Sequence, residues 1–356
     1  MGFWDWIFGK QTADHEVPTA RRSPARSSHR QTGGTAVAVA DDPDEASIPE
    51  TPTKRKWWNP EEPTVTVLTP IERPDLSVEA RALENLLVSH FDGHNLTLPP
   101  LLQVAERVRP KLADRDVDLG KIAAELGEDQ VIAAAVLRMA NSPLYRGLNK
   151  ITALRPAVAR LGTRALRTLL MHESLRAAMF YGKGASRELA VYIWRQSLAG
   201  AYVMRSLSRF TRTDPENAFL VGLLHDIGNV IVLRIASEEQ PRMHYEIDFD
   251  TFNYLCYECH QEFGELVADA WSLPDDLKAI ITDHHTDPDL DNPLRRMRLQ
   301  LMFSDMICSL LGYQPYRPYR LLHTEVFKDL KIPIDDKFAT FLDELPDRVD
   351  DMVAAL

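Results

Sequence analysis

The chain has 356 residues, 45% of them hydrophobic, and a net charge of −11, which argues against a general nucleic-acid-binding surface. No uninterrupted apolar run reaches the ~18 residues of a membrane-spanning helix, and the start of the chain lacks the basic leader and long apolar core of a secretory signal. Three cysteines do not make a disulfide framework, so we expect a cytoplasmic protein.

A short aromatic segment occupies residues 1–10, ahead of a polar tail. No adjacent sequence could bury its apolar side chains, which are Phe3, Trp4, Trp6, Ile7 and Phe8. We predict that the segment anchors the protein peripherally at the inner membrane surface or docks onto a protein partner. The alternative is that it packs back onto the folded domain.

Residues 11–75 have the composition of a disordered linker. They are rich in Pro, Ser, Thr and Arg, and such a segment cannot bury enough apolar surface to offset the chain entropy lost on folding. Near its end the cluster Lys54-Arg55-Lys56-Trp57-Trp58 is a candidate contact with anionic lipid or with a partner. The simpler interpretation is a solvated linker with a local basic and aromatic cluster.

From about residue 76 the apolar residues follow a helical period to the end of the chain, and we find no alternating strand pattern. The predicted fold is therefore all-α and without repeats. In the N-terminal half, 76–184, we predict helices over 78–91, from 98, over 119–126 and 130–140, and from near Leu154 and Thr163. In the second half, 185–312, we predict a long helix from 187, one over 216–233, a polar connection over 236–248, and helices over 250–272 and 299–311. Residues 313–356 are predicted to form a helical extension packed on the side.

The stretch 216–233 is apolar on nearly every side, which places it in the middle of a domain. It nevertheless carries His225, Asp226 and Asn229. A buried Asp must be paired, hydrogen-bonded or bound to metal, because desolvating a lone carboxylate costs several kcal/mol. The stretch therefore indicates either a working metal site or the remnant of one inside a binding module.

Other residues of the metal-ligand type lie in apolar helices of the same half. Asp305 is the most telling, because it is a carboxylate within an apolar run. With their companions these residues make a mixed histidine and carboxylate set suited to Fe, Mn or Mg: His225, Asp226, His260, His284, His285 and Asp305. Two such metals bridged by one carboxylate could activate water for attack on a phosphate ester.

A competing motif runs from Cys256 to His260, where Cys-Tyr-Glu-Cys-His matches the attachment pattern of c-type haem. Haem attachment of that kind needs an exported chain, and a redox cysteine pair is the other alternative. We expect the two cysteines to be structural, half-buried on a helix.

The motifs and their order resemble the HDOD family, a bacterial regulatory relative of the HD superfamily, over about residues 90–312. The resemblance rests on Leu98-Pro99-Pro100, Leu137 to Tyr145, Ile151 to Gly162, Trp194 to Leu198, Gly222 to Gly228, His260 with Gly264, Trp271-x-Leu273-Pro274 and His284-His285. It implies an N-terminal helical lobe, 76–184, packed on an HD-like lobe, 185–312.

Three departures from the metal-dependent relatives stand out. Gln196 occupies the place where those enzymes have the first histidine ligand, and a neutral carboxamide is a poor ligand beside imidazoles. Asn229 replaces a lysine that can steady a phosphate, and it lacks the positive charge. The segment after His285 lacks the Glu and Gly-Tyr-Pro of the cyclic-dinucleotide hydrolases. The resemblance therefore implies a degenerate site in which metal binding is optional.

These features favour a non-catalytic regulatory protein that acts through protein–protein contacts, in cyclic-dinucleotide signalling, motility or stress output. The alternative is a metal-dependent phosphohydrolase or phosphodiesterase that uses Fe or Mn on a nucleotide or cyclic dinucleotide. A nucleic-acid partner is not expected, because only local basic runs favour one.

Overall fold

The computed structural model of the chain describes residues 57–58, 73–92, 96–114, 116–142, 144–145, 147–180, 187–286, 288–315 and 320–355. Helices dominate, and no β-strand occurs in these ranges, so the prediction of an all-α fold is confirmed. The predicted aromatic segment 1–10 and most of the predicted linker lie outside the described residues.

The N-terminal lobe consists of short helices followed by a long one. They are α1 (Val78–Asp92), α2 (Gln103–Val108), α3 (Leu119–Leu126), α4 (Gln130–Asn141) and α5 (Leu154–Phe180). Asp118 and Asp129 cap α3 and α4, each accepting hydrogen bonds from two backbone N–H groups of the first turn. Gly162, with a φ of +70°, breaks α5, and this explains the predicted second helix from Thr163.

The second lobe surrounds the apolar central stretch. Its helices are α6 (Arg187–Thr211), α7 (Pro215–Leu224), α8 (Asn229–Met243), α9 (Phe249–Ala270), α10 (Asp275–Asp283) and α11 (Arg295–Leu311). Pro215–Met243 is the one stretch of the described chain that is long and apolar enough to cross a membrane. Because 83% of the most apolar part of this stretch is buried inside the fold, its apolar composition reflects a core position.

The single helix predicted over 216–233 is wrong, because a turn over 225–228 separates α7 from α8. In this turn the backbone tightens to i→i+3 bonds, among them Ile227 N to Leu224 O at 3.0 Å and Asn229 N to Asp226 O at 2.9 Å. The predicted polar connection over 236–248 also differs: α8 continues to Met243, since Ile235 and Ala236 extend its buried face by another turn.

Hydrogen bonds join the two lobes at both ends of their interface. The indole Nε1 of Trp271 donates to Pro99 O at 2.8 Å, and Arg109 donates to Ser272 O at 3.2 Å. At the other end the Tyr145 hydroxyl donates to the carboxylate of Glu216 at 2.9 Å. The family-type motifs of the first lobe therefore contact the helix that leads to His225.

The C-terminal extension packs on α6 through α13 (Asp336–Ala355), which follows α12 (Glu325–Leu330). Pro346 lies inside α13 and has no N–H to offer the Leu342 carbonyl, four residues earlier. Trp57 supplies the missing donor, with Nε1 at 3.0 Å from Leu342 O, and Trp58 donates to Asp343 Oδ1 at 3.0 Å. These two residues of the predicted linker are thus docked on the fold.

A buried carboxylate, Glu173, holds a polar cluster between α4 and α5. It lies 2.7 Å from Arg176, 3.3 Å from His172 and 3.9 Å from Arg138. Burial works against its ionised form, but the hydrogen bond and charge of His172 and the charge of Arg176 outweigh burial and lower the Glu173 pKa to about 2.

This pKa predicts a specific acid sensitivity. Because the folded-state value lies below the ordinary 4.5, Glu173 stabilises the fold fully above pH 4.5 and loses that effect as the pH falls toward 2. The shift corresponds to about 3 kcal/mol. Urea titrations between pH 5 and pH 2 are expected to show the wild type losing about that much more unfolding free energy than Glu173→Gln. Parallel curves for the two proteins would contradict this role.

Candidate metal centre

The turn between α7 and α8 places Asp226 among three imidazoles. Its Oδ1 lies 3.4 Å from His284 Nε2 and 3.6 Å from His260 Nε2, and its Oδ2 lies 3.4 Å from His225 Nε2. The two oxygens of one carboxylate therefore face two different groups of ligands, which is the arrangement of a bridging carboxylate.

Helices α9 and α10 supply the histidines on one side of this carboxylate. His260 lies on α9, and His284 and His285 follow the last residue of α10. The Nε2 atom of His260 is 3.1 Å from the Nε2 of His284 and 3.1 Å from the Nε2 of His285. These three ring nitrogens form one potential metal-binding group, and His225, Asp226 and His284 form a second.

Asp305 approaches from α11, on the other side of the cluster. Its Oδ1 lies 3.6 Å from His225 Nε2 and accepts a hydrogen bond from Gln314 at 3.3 Å. Burial raises the pKa of Asp305 to about 7, with the Asp226 charge acting in the same direction and His225 opposing it. The structure therefore brings all six of the sequence-predicted ligand-type residues together.

Backbone hydrogen bonds fix the orientation of three of the rings. The Nδ1–H groups of His225, His260 and His284 donate to carbonyls of their own helical turns, at Gly222 O (3.0 Å), Cys256 O (2.9 Å) and Ile281 O (3.0 Å). In the neutral form each imidazole carries one proton, so its Nε2 is left with a lone pair that points into the cluster. Burial opposes the charged form of His225, but Asp226 and Asp305 outweigh it and raise the pKa of His225.

The close approach of His260 and His284 requires a positive charge between them. Two Nε2 lone pairs 3.1 Å apart repel each other unless a proton or a cation lies near both. Burial and the charges of His260 and His225 lower the pKa of His284 to about 4, which favours its neutral, metal-binding form. Neighbouring ligand atoms on a metal with bonds of about 2.1 Å are separated by roughly 3.0–3.4 Å, so a divalent ion fits these residues.

Gln196 and Asn229 occupy the positions that depart from the metal-dependent relatives. Gln196, on α6, donates from Nε2 to Asp226 Oδ2 at 3.4 Å, so its amide nitrogen rather than a ligand atom faces the carboxylate. Asn229 is buried, and its Oδ1 has no hydrogen-bond partner among the described residues. Neither residue supplies an imidazole or a cation to the cluster.

The cluster is mostly buried, although Asp226, whose side chain is 13% exposed, and His285 are only partly buried. His225, His260 and His284 are each at most 2% exposed, and Asp305 is 7% exposed. The chemistry that the cluster supports directly is the holding of a small cation.

The three cysteines lie near this region and are buried and unpaired. Burial raises the pKa of the Cys259 thiol to about 12 and that of Cys256 well above its ordinary value. Protonated, buried thiols are unreactive, and His260 is engaged in the cluster. This arrangement agrees with the expectation of structural cysteines.

Two contacts of the cluster had no signal in the sequence. Gln314, which bonds Asp305, lies in the segment interpreted as an extension beyond the domain. The ring of Tyr257 lies with its centre 5.2 Å from that of His285 and covers it. Neither residue is of a metal-ligand type, so only the folded chain reveals them.

A buried histidine–aspartate cluster at a helical turn, with a second helical lobe packed on it, defines a domain of the HD type. The sequence model of the HDOD domain matches residues 98–287, which is more than half of the chain. The chain therefore belongs to the HDOD domain family.

Individual relatives are distant. An uncharacterised protein of Treponema pallidum (strain Nichols) is 24% identical over 237 residues, which cover 62% of this chain and only 44% of that protein. A solved structure from Shewanella amazonensis SB2B, named "putative metal-dependent phosphohydrolase", aligns with a TM-score of 0.64 at 20% identity, over 78% of this chain and 99% of its own. An HDOD domain protein of unknown function from Geobacter sulfurreducens aligns with a TM-score of 0.57 at 24% identity, over 78% and 99%. At these identities the similarity shows the fold.

Proposed function

We propose that this chain is a regulatory HDOD protein that acts through protein–protein contacts and holds a metal ion without turning over a substrate. The observation that carries the proposal is the burial of the cluster's histidines, since His225, His260 and His284 are almost fully buried. Gln196 supports it, because its amide nitrogen faces Asp226 where an enzyme of this superfamily presents a histidine ligand.

The residues that would hold the ion are those whose ligand atoms converge. They form two groups that share His284: His225 with Asp226 on one side, and His260 with His285 on the other. Asp305 lies 3.6 Å from His225, and Asp226 lies 3.6 Å from His260. Imidazole and carboxylate donors suit Fe or Mn. An ion bound there would supply a positive charge that ties α7, α9, α10 and α11 together.

The second candidate function is a metal-dependent phosphohydrolase or phosphodiesterase acting on a nucleotide or cyclic dinucleotide. The observation that favours it is the position of the Asp226 carboxylate between two ligand groups, as in two-metal phosphoesterases. The name of the similar Shewanella amazonensis structure is in line with this candidate.

Metal analysis combined with a hydrolase screen separates the two candidates. We expect the purified protein to contain Fe or Mn by elemental analysis and to release no product from cyclic dinucleotides, nucleotides or bis-p-nitrophenyl phosphate. Gln196→His is expected to raise the metal affinity by at least about tenfold, the scale on which single groups around a metal act. Gln196→Leu, which removes the amide without adding a ligand, is the control and is expected not to raise it. Metal-dependent turnover by the wild type would favour the enzyme instead.

We propose that the aromatic segment 1–10 brings the protein to its partner or to the inner membrane. The protein would then act in a cytoplasmic signalling pathway linked to cyclic dinucleotides, motility or stress. Because no adjacent sequence could bury the apolar side chains of this segment, its deletion is expected to move the protein from membrane or partner fractions to free cytosol while the melting temperature stays the same. Cell fractionation of the deletion variant beside the full chain measures this, and an unchanged distribution would refute it.

A further inference from the structure

A cavity of about 300 Å³ lies between α6, the start of α7 and α13. None of its lining residues belongs to the histidine–aspartate cluster, and the proposed function does not use it. The charged side chains that line it are all arginines: Arg205, Arg209 and Arg348. In the part of the chain that the structure describes, Arg205 and Arg348 are paired with glutamates and Arg209 is not, so the cavity keeps a net positive charge, which favours an anion.

Arg209 is held ready for such an anion. Its guanidinium carbon lies 4.7 Å from the centre of the Phe210 ring and 4.8 Å from that of Phe341, so two rings fix its plane. Among the described residues, no carboxylate pairs with it. A planar guanidinium that is oriented and has no counter-charge matches the geometry of a phosphate or carboxylate ligand.

The other two arginines retain donors for a ligand. Arg205 pairs with Glu216, and Arg348 pairs with Glu344 at 2.6 Å. Each guanidinium has five N–H donors, and one carboxylate occupies at most two of them in a bidentate pair. Three guanidiniums around one cavity can therefore share the oxygens of a phosphate group.

A second cavity, of about 660 Å³, continues from the first and shares Arg209, Phe341 and Arg348 with it. Its lining differs in charge, because Asp335 and Asp336 also face it. Carboxylates repel a phosphate but accept hydrogen bonds from ring nitrogens and amino groups. The partly exposed Phe210 ring, which lines the second cavity, suits a flat base, since aromatic side chains stack on bases of any sequence.

From these features we infer that the paired cavities bind a nucleoside phosphate. The phosphate lies against Arg205, Arg209 and Arg348, and the base extends past Phe341 toward Asp335 and Asp336. Together the cavities fall in the size range of small-ligand sites.

Calorimetric titration of the full-length protein tests this site, with 5′-GMP, 5′-AMP and inorganic phosphate as probes. We expect at least one nucleotide to bind tenfold or more tightly than inorganic phosphate and to raise the melting temperature. Arg209→Ala is expected to weaken that binding at least tenfold and to lower the melting temperature only slightly, because Arg209 is exposed and loses two cation–π contacts but no ion pair among the described residues. Arg107→Ala, at an exposed arginine paired with Glu128, is the matched control and is expected to bind as the wild type.

A second variant guards against misfolding as an explanation. Ser206→Asp adds a carboxylate to the lining of the first cavity and is expected to abolish nucleotide binding at an unchanged melting temperature. The inference is overturned if neither nucleotide binds, if Arg209→Ala keeps the wild-type Kd, or if inorganic phosphate binds as tightly as the nucleotides.

Discussion

Asp226→Ala is expected to abolish the proposed metal binding and to destabilise the fold in the same step. The carboxylate faces His225, His260 and His284 at 3.4 to 3.6 Å. Its loss leaves three buried ring nitrogens without the negative charge that they face. Removing one partner of a buried charged network costs about 3–5 kcal/mol. Elemental analysis and urea denaturation of the same preparation measure both effects.

Two further variants make this result specific. Asp269→Ala removes an exposed carboxylate of α9 that pairs with Lys278, and we expect it to change neither the metal content nor the stability measurably. Asp226→Asn keeps the side-chain shape and loses the charge, so it is expected to lose metal with a smaller loss of stability. An Asp226→Ala protein with wild-type metal content and wild-type stability would show that the cluster is neither a metal site nor a structural centre.

Much of the cluster could be foreseen from the chain because its residues are conspicuous. Asp305 lies in an apolar run, and His225 and Asp226 lie in the most apolar stretch of the sequence. A ligand-type side chain in such surroundings needs partners, and the other ligand-type residues of the same half are the candidates. Residue type and local hydrophobicity therefore sufficed to predict which side chains meet.

The path of the backbone at the cluster could not be predicted in the same way. A helical period continues through 225–228 whether the turn keeps i→i+4 bonds or tightens to i→i+3 bonds, since both place similar residues inside. Long-range docking is equally hidden. Pro346 implies that the Leu342 carbonyl lacks its usual helical donor. The actual donor, Trp57, lies 285 positions away, and no local pattern connects the two residues.

The glycines of the motif around His225 allow helices to make close backbone contacts that no local sequence pattern reveals. A Cβ on Gly222 would lie 2.5 Å from Gly200 O, so α6 and α7 cross in direct backbone contact. Glycine in a helix otherwise costs stability relative to alanine. The close approach of α6 and α7 brings Gln196 on α6 within hydrogen-bond reach of Asp226, and this contact helps to offset the cost of glycine.

Gly228→Ala is expected to be among the most damaging single substitutions in the domain. Its Cβ would lie 1.9 Å from His260 O and 2.7 Å from Gly264 N, so the backbone of α9 would have to move away. His260 would move with it and leave the cluster. Overpacking costs 1–3 kcal/mol and occasionally more, and for a clash with backbone we expect about 3 kcal/mol or more, together with loss of metal. Thermal denaturation and elemental analysis measure the two effects.

The backbone angles of Gly228 make this variant a test of packing alone. With a φ of −61° and a ψ of −25°, the residue lies in the right-handed helical region, where alanine is favoured over glycine. Gly147→Ala is the matched control, because there the nearest atom to a new Cβ is the end of the flexible Arg160 side chain, at 3.3 Å. The control is expected to melt as the wild type. If Gly228→Ala does the same and keeps its metal, α9 does not approach the turn closely enough for His260 to share a metal ion with His284 and Asp226.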